Sequence, residues 1–61
     1  MQIEIEKTRV IITLTSGQIF GAFKDDEFVP TWFSSNEAED FYSNNWELID
    51  EKVSAKIYNY G

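Results

Sequence analysis

The stretch Val10-Ile11-Ile12-Thr13-Leu14-Thr15-Ser16-Gly17-Gln18-Ile19-Phe20-Gly21-Ala22-Phe23-Lys24 decides how this chain is read. β-Branched and apolar residues run up to Thr15, Ser16-Gly17 reads as a two-residue turn, and a second apolar run follows. Setting Thr15 opposite Gln18 pairs Leu14 with Ile19, Ile12 with Gly21 and Val10 with Phe23. Every pair on that face is apolar or glycine, as a register fixed by one buried face requires.

Working outward, Asp25-Asp26 predicts a second tight turn. It sets Lys24 opposite Glu27, a favourable cross-strand charge pair, then Phe23 opposite Phe28 and Ile19 opposite Trp32. Pro30 cannot donate a ladder hydrogen bond, so this strand is expected at an edge, or its pairing ends there. Toward the N-terminus, Ile3 and Ile5 alternate with Glu4 and Glu6, but their parity is opposite to that of Val10, Ile12 and Leu14. The phase slips near Lys7-Thr8-Arg9, which predicts either a β-bulge in one long strand or a break into two. Beyond Phe33, Ser34-Ser35-Asn36-Glu37 reads as a helix start, with Ser34 and Glu37 as a capping box and Phe33 against Ala38 as a staple. Ala38, Phe41 and Tyr42 share one face of a short helix, roughly two to three turns long, that Asn44-Asn45 would end. Trp46-Glu47-Leu48-Ile49 and Val53-Ser54-Ala55-Lys56-Ile57-Tyr58 read as two further strands joined by Asp50-Glu51-Lys52. The expectation is one small α+β domain over 1–61, mostly antiparallel, in the order β-β-β-α-β-β.

This register makes both sheet faces apolar. One carries Val10, Ile12, Leu14, Ile19, Phe23, Phe28 and Trp32; the other carries Ile11, Phe20, Ala22, Val29 and Phe33. An antiparallel sheet normally keeps one wet face. One helix and a hairpin scarcely cover both faces, so the second is expected to meet a copy of the chain or another protein. The structural alternative is a closed barrel or strongly coiled sheet, in which the last hairpin covers what the helix does not.

Composition narrows the functions. A chain of 61 residues buries only about 60% of its unfolded surface and is marginally stable without reinforcement. It has no Cys, so disulfides and thiolate metal sites are excluded, and no His, so the usual general base and zinc ligand are missing. Oligomerisation is the reinforcement left open, and a dimer is favoured. The net charge of −6, from 11 acidic and 5 basic residues, disfavours nucleic acid and anionic membranes and favours basic protein surfaces. No stretch is long enough to span a bilayer, and Met1 leads into Ile3-Glu4-Ile5-Glu6 without a signal pattern, so cytoplasmic residence is expected. Ile, Lys, Asn, Tyr and Phe total 23 residues while Ala, Gly, Pro and Arg total 8, a balance typical of AT-rich coding sequences. With the short length it points to a low-GC bacterium or its phage, and then to the host cytoplasm.

No motif supports catalysis or a cofactor. Asp25-Asp26-Glu27 and Asp50-Glu51 read as solvated turns; calcium loops need alternating ligands around a Gly and a distal Glu, which neither has. Gly17 and Gly21 do not form a phosphate-cradling loop and are assigned to turn chemistry and to packing against Trp32. Ser34 and Ser35 lack a base partner and read as helix caps. The acidic run Glu37, Glu39 and Asp40, followed by Glu47, Asp50 and Glu51, reads either as a solvated face or as a mimic of nucleic-acid phosphates. Trp32, Phe33, Trp46, Tyr58 and Tyr60 lack the basic groove of a single-strand platform and fit a core or a protein interface better. Tyr58-Asn59-Tyr60-Gly61 reads as an interaction tail or a frayed end.

The run from Val10 to Gly21 resembles the first motif of the Sm-like RNA-binding family: alternating apolar residues, a Gly turn, then a second Gly. The resemblance covers about a fifth of the chain. It implies a small barrel that binds nucleic acid; the glycine spacing is one residue short and the second motif is missing, so no residue role is carried over. The composition is similar to that of small phage-encoded proteins that inhibit host enzymes or defence systems. The function expected is therefore a non-enzymatic, protein-binding inhibitor or modulator, homodimeric and without cofactor or metal. Phe20, Val29, Phe33, Trp46, Glu37, Glu39 and Asp40 are the candidate partner-binding residues. The alternatives are a DNA mimic occupying a basic groove and an Sm-like or SH3-like barrel.

Overall fold

The computed structural model describes residues 1–60, with only the backbone of Tyr60. The side chain of Tyr60 and all of Gly61, part of the expected tail, lie outside the described residues. Four antiparallel strands, β1 (Gln2–Glu6), β2 (Arg9–Leu14), β3 (Gly17–Lys24) and β4 (Glu27–Phe33), precede one long helix, α1 (Asn36–Tyr60). The sheet order is β1-β2-β3-β4, an up-and-down meander with β1 and β4 at its edges. The fold is α+β, but its order is β-β-β-β-α.

The phase slip at Lys7-Thr8 is a break into two strands. Glu6 pairs with Arg9, Ile5 with Val10 and Ile3 with Ile12, so a two-residue turn converts odd parity into even. Lys7 takes the turn's positive φ of 58°. The turn at Asp25-Asp26 forms as expected, with φ of 54° and 63°, the left-handed pair that a twisted two-residue hairpin needs and Asp tolerates.

The central hairpin pairs differently. Its turn is Thr15-Ser16, so Leu14 faces Gly17, Ile12 faces Ile19 and Val10 faces Gly21. The glycine is needed inside the strand rather than in the turn. Gly17 has φ 151°, and a Cβ there would lie 2.6 Å from Ser35 Oγ and 2.7 Å from Ser34 Oγ. The displacement is by two residues, so it preserves which side chains share a face.

At β4 a one-residue irregularity changes faces. Lys24 pairs with Glu27 and Phe23 with Phe28, as expected, and Gly21 reaches Pro30; then Thr31 is skipped, so Phe20 faces Trp32 and Ile19 faces Phe33. Pro30 lies opposite Gly21 with its ring nitrogen toward the outer edge, and just beyond it the Thr31 hydroxyl donates to the Phe20 carbonyl at 3.1 Å. The bulge exchanges the expected places of Trp32 and Phe33. Phe33 joins the covered side, its ring 5.9 Å from that of Tyr42, while Trp32 turns to the open side. Gly21 consequently packs against Phe28 and the Val29 carbonyl, not against Trp32.

The largest correction concerns residues 46–58, which are helical. Both periods fit this stretch, since Val53, Ala55 and Ile57 alternate. However, Ile49, Val53 and Ile57 recur every four residues, and Ile49 and Val53 are fully buried against the sheet. Asp50-Glu51-Lys52 is therefore a helical turn. Asn44-Asn45 bends the helix without ending it. Asn45 leaves helical geometry at φ −134°, and its Nδ2 donates to the Phe41 carbonyl at 2.9 Å, the acceptor that an unbroken ladder would pair with the residue-45 N–H. The N-cap is Ser35, not Ser34, so the Ser34–Glu37 capping box does not form: Ser35 Oγ accepts from the Ala38 N–H at 3.1 Å and donates to the Ser16 carbonyl at 2.8 Å. Ser34 exchanges two hydrogen bonds with the Gln18 backbone, through its Oγ and its own N–H. At the far end the Tyr58 hydroxyl donates to Asp26 in the β3–β4 turn. α1 is thus tied to opposite ends of the sheet and lies along one face, over a core of Ile3, Val10, Ile12, Ile19, Phe28, Ala38, Ile49 and Val53.

Candidate functional site: the open sheet face

The register lays out the uncovered side in rows. Glu4, Ile11, Phe20 and Trp32 form one row across all four strands; Glu6, Arg9, Ala22 and Val29 form the next. Gln2, Thr13 and Gln18 make a third row at one end, and Lys24 with Glu27 flank the turn at the other. Ile11, Phe20, Ala22, Val29 and Trp32 are contiguous and apolar. Trp32 is 55% exposed and Val29 44%, and Ile11, Phe20 and Ala22 are half-buried by their neighbours. The Arg9 guanidinium lies over the Phe20 ring, 5.0 Å from its centroid, which gives the patch one fixed cation. Among the described residues no final hairpin covers this face, and β1 and β4 do not pair, so the sheet does not close into a barrel.

Charge is unevenly distributed. The open face holds Glu4, Glu6 and Glu27 against Arg9 and Lys24, close to neutrality. Helix α1 holds Glu37, Glu39, Asp40, Glu47, Asp50 and Glu51 against Lys52 and Lys56. Most of the net charge of −6 therefore sits on the helix side.

The sequence-derived candidates fall on three surfaces. Phe20 and Val29 are on the open face. Phe33 is on the covered face, half-buried and packed against the core. Trp46, 49% exposed, is on α1 just past the bend, and Glu37, Glu39 and Asp40 are exposed in its first turns. Sequence reasoning exchanged the faces of Trp32 and Phe33, and the residue it missed on the open face is Trp32. The signal that finds it is Pro30, because a proline inside a strand marks where the ladder is interrupted.

Among the described residues no group of three or more carboxylates is placed to hold a metal, and no helix is long and apolar enough to cross a membrane. The titratable groups with displaced equilibria lie elsewhere. Burial between α1 and β4 raises the Asp50 pKa, Glu27 adds to this, and a hydrogen bond from the Phe28 backbone partly opposes it. Burial, followed by the charges of Asp50 and Glu27, raises that of Tyr42. Neither group reaches the open face. Comparison with protein-family models, curated proteins and solved structures finds no match for this chain.

Proposed function

We propose that this chain is a small, acidic, non-enzymatic protein-binding module: a homodimer, joined through the open sheet face, that inhibits or modulates another protein. The observation that carries the reading is the exposure of Trp32 and Val29 on the β4 side of an apolar face that nothing else among the described residues covers. A solvated antiparallel face ordinarily alternates to polar residues, and exposed aromatic patches mark contact surfaces. A second copy suits this face for two reasons. It is the near-neutral surface of a chain whose net charge is −6, so two copies meet there with least repulsion. Eight core side chains are fully or nearly buried among the described residues and the chain has no cysteine, so covering a second apolar layer supplies the reinforcement that small domains need.

Sedimentation velocity tests the dimer. The wild-type chain should shift from monomer to dimer with concentration, and Trp32→Asp should stay monomeric with an unchanged far-ultraviolet spectrum. A wild-type chain that remains monomeric at high micromolar concentration sinks the dimer. A second reading, a DNA mimic, is favoured by the collection of six acids on α1. It requires a basic partner released by moderate salt, whereas an apolar contact persists.

A further inference from the structure

The two edges of the sheet are not equivalent. At β4, Pro30 removes a donor and the bulge at Thr31 breaks the ladder. At β1 there is neither proline nor bulge. In a two-residue hairpin the residues flanking the turn exchange hydrogen bonds, and alternate residues turn their backbone groups outward. Glu6 and Arg9 flank the turn at Lys7-Thr8, so Ile5 and Ile3 present their N–H and C=O groups to the open edge. Their side chains point the other way from those of Glu4 and Glu6, toward α1, where Ile3 is buried and Ile5 half-buried.

Beside this edge runs a groove between β1 and the second half of α1. One part, about 460 Å³, is lined by Ile3, Glu4, Ile5, Lys56 and Asn59. The adjoining part, about 410 Å³, is lined by Met1, Gln2, Ile3, Lys52, Ala55 and Lys56. Ile3 and Lys56 belong to both. The floor is aliphatic, and the helix wall carries Lys52 and Lys56 one turn apart, the only cations on α1.

We propose that the β1 edge receives an extended segment of another protein as a fifth strand. Its groove-facing side chains are aliphatic, against Ile3 and Ile5, and carboxylate, against Lys52 and Lys56; the alternate ones are basic or neutral, against Glu4 and Glu6. Main-chain pairing with Ile3 and Ile5 supplies affinity, and the side-chain alternation supplies selectivity. The partner is not a second copy of this chain. Pairing β1 with another β1 in a continuous sheet sets Glu4 and Glu6 beside their own equivalents, and like charges across strands repel. The proposal names the chemistry of the modulated partner in the reading above, and it uses the edge and helix side, not the dimer face.

Selection from a displayed library of short random peptides on the immobilised full-length chain tests it, with the enriched peptides then mapped by amide chemical shifts. Enriched sequences should alternate aliphatic or acidic residues with basic or neutral ones, and should shift Ile3, Ile5, Lys56 and Asn59. Lys52→Glu with Lys56→Glu should weaken binding at least about tenfold, the scale of one lost charge-assisted contact, while Trp32→Asp leaves it unchanged. Failure to enrich any peptide overturns the proposal, as does enrichment indifferent to the lysine substitutions or mapped to Phe20 and Trp32. A monomer that selects such peptides defeats only the dimer; a dimer that selects none defeats only the strand addition.

Discussion

Gly21 has no room for a methyl group. A Cβ there would meet the Val29 carbonyl oxygen and approach two carbons of the Phe28 ring at 2.9 Å, and a backbone oxygen cannot swing aside. Gly21→Ala should therefore cost about 1–3 kcal/mol, the range of overpacked cores. A urea midpoint no lower than wild type would contradict it. Asp50 makes a second residue-scale case. Its Oδ1 is buried without a partner, and its pKa is raised, chiefly by burial. A carboxyl whose folded pKa exceeds its unfolded value binds its proton more tightly in the native state. Its contribution thus opposes folding once pH rises above the raised value, and disappears as pH falls below the unfolded one. Asp50→Asn keeps an oxygen for the Phe28 backbone and removes the charge. It should raise the Tm at pH 7, and the gain should close toward pH 3. A gain that persists undiminished in acid would show that burial of charge is not the cause.

At the scale of elements, α1 was legible only in its first half. Ala38, Phe41 and Tyr42 announce a helix. The second half carries β-branched Val53 and Ile57 in an alternating setting, and local preference alone does not separate helix from strand there. Packing does. Ile49→Ala should destabilise by about 2–5 kcal/mol, whereas Leu48→Ala, whose side chain is 43% exposed, should stay within about 0.5 kcal/mol. Denaturant unfolding of the pair gives the difference, and equal losses would be incompatible with a helix that buries one face. Turns were more legible than registers. Asp25-Asp26 had no alternative position, because Lys24 and Glu27 flank it with opposite charges. The central turn was expected at Ser16-Gly17 and forms one residue earlier, at Thr15-Ser16, with Ser34 and Ser35 crossing over Gly17. The bulge at Thr31 was foreshadowed by Pro30, but its consequence for Trp32 and Phe33 was not, because a single skipped residue inverts every side chain beyond it.

For the whole molecule, charge segregation sets how association should depend on salt. Two copies of net charge −6 repel at long range, while the open faces themselves are nearly neutral. Raising ionic strength from low to physiological values should therefore strengthen the proposed dimer, read as a lower dissociation constant in sedimentation equilibrium. Weakening by salt would instead place ion pairs at the contact. The amino-acid sequence by itself determined the hairpin series from Val10 to Phe33, the surplus of apolar residues on both sheet faces, the acidic character of the helix side, and the lack of cysteine and histidine chemistry. These follow from alternation, turn residues and counting, which are local or additive. Only the tertiary structure decided that residues 46–58 are helical, that Trp32 rather than Phe33 faces outward, and that β1 is the unobstructed edge beside Lys52 and Lys56. Each of these depends on which surfaces meet across the sheet: two backbone conformations fit the same short pattern, and the free energy of burying Ile49, Val53 and Phe33 together selects one.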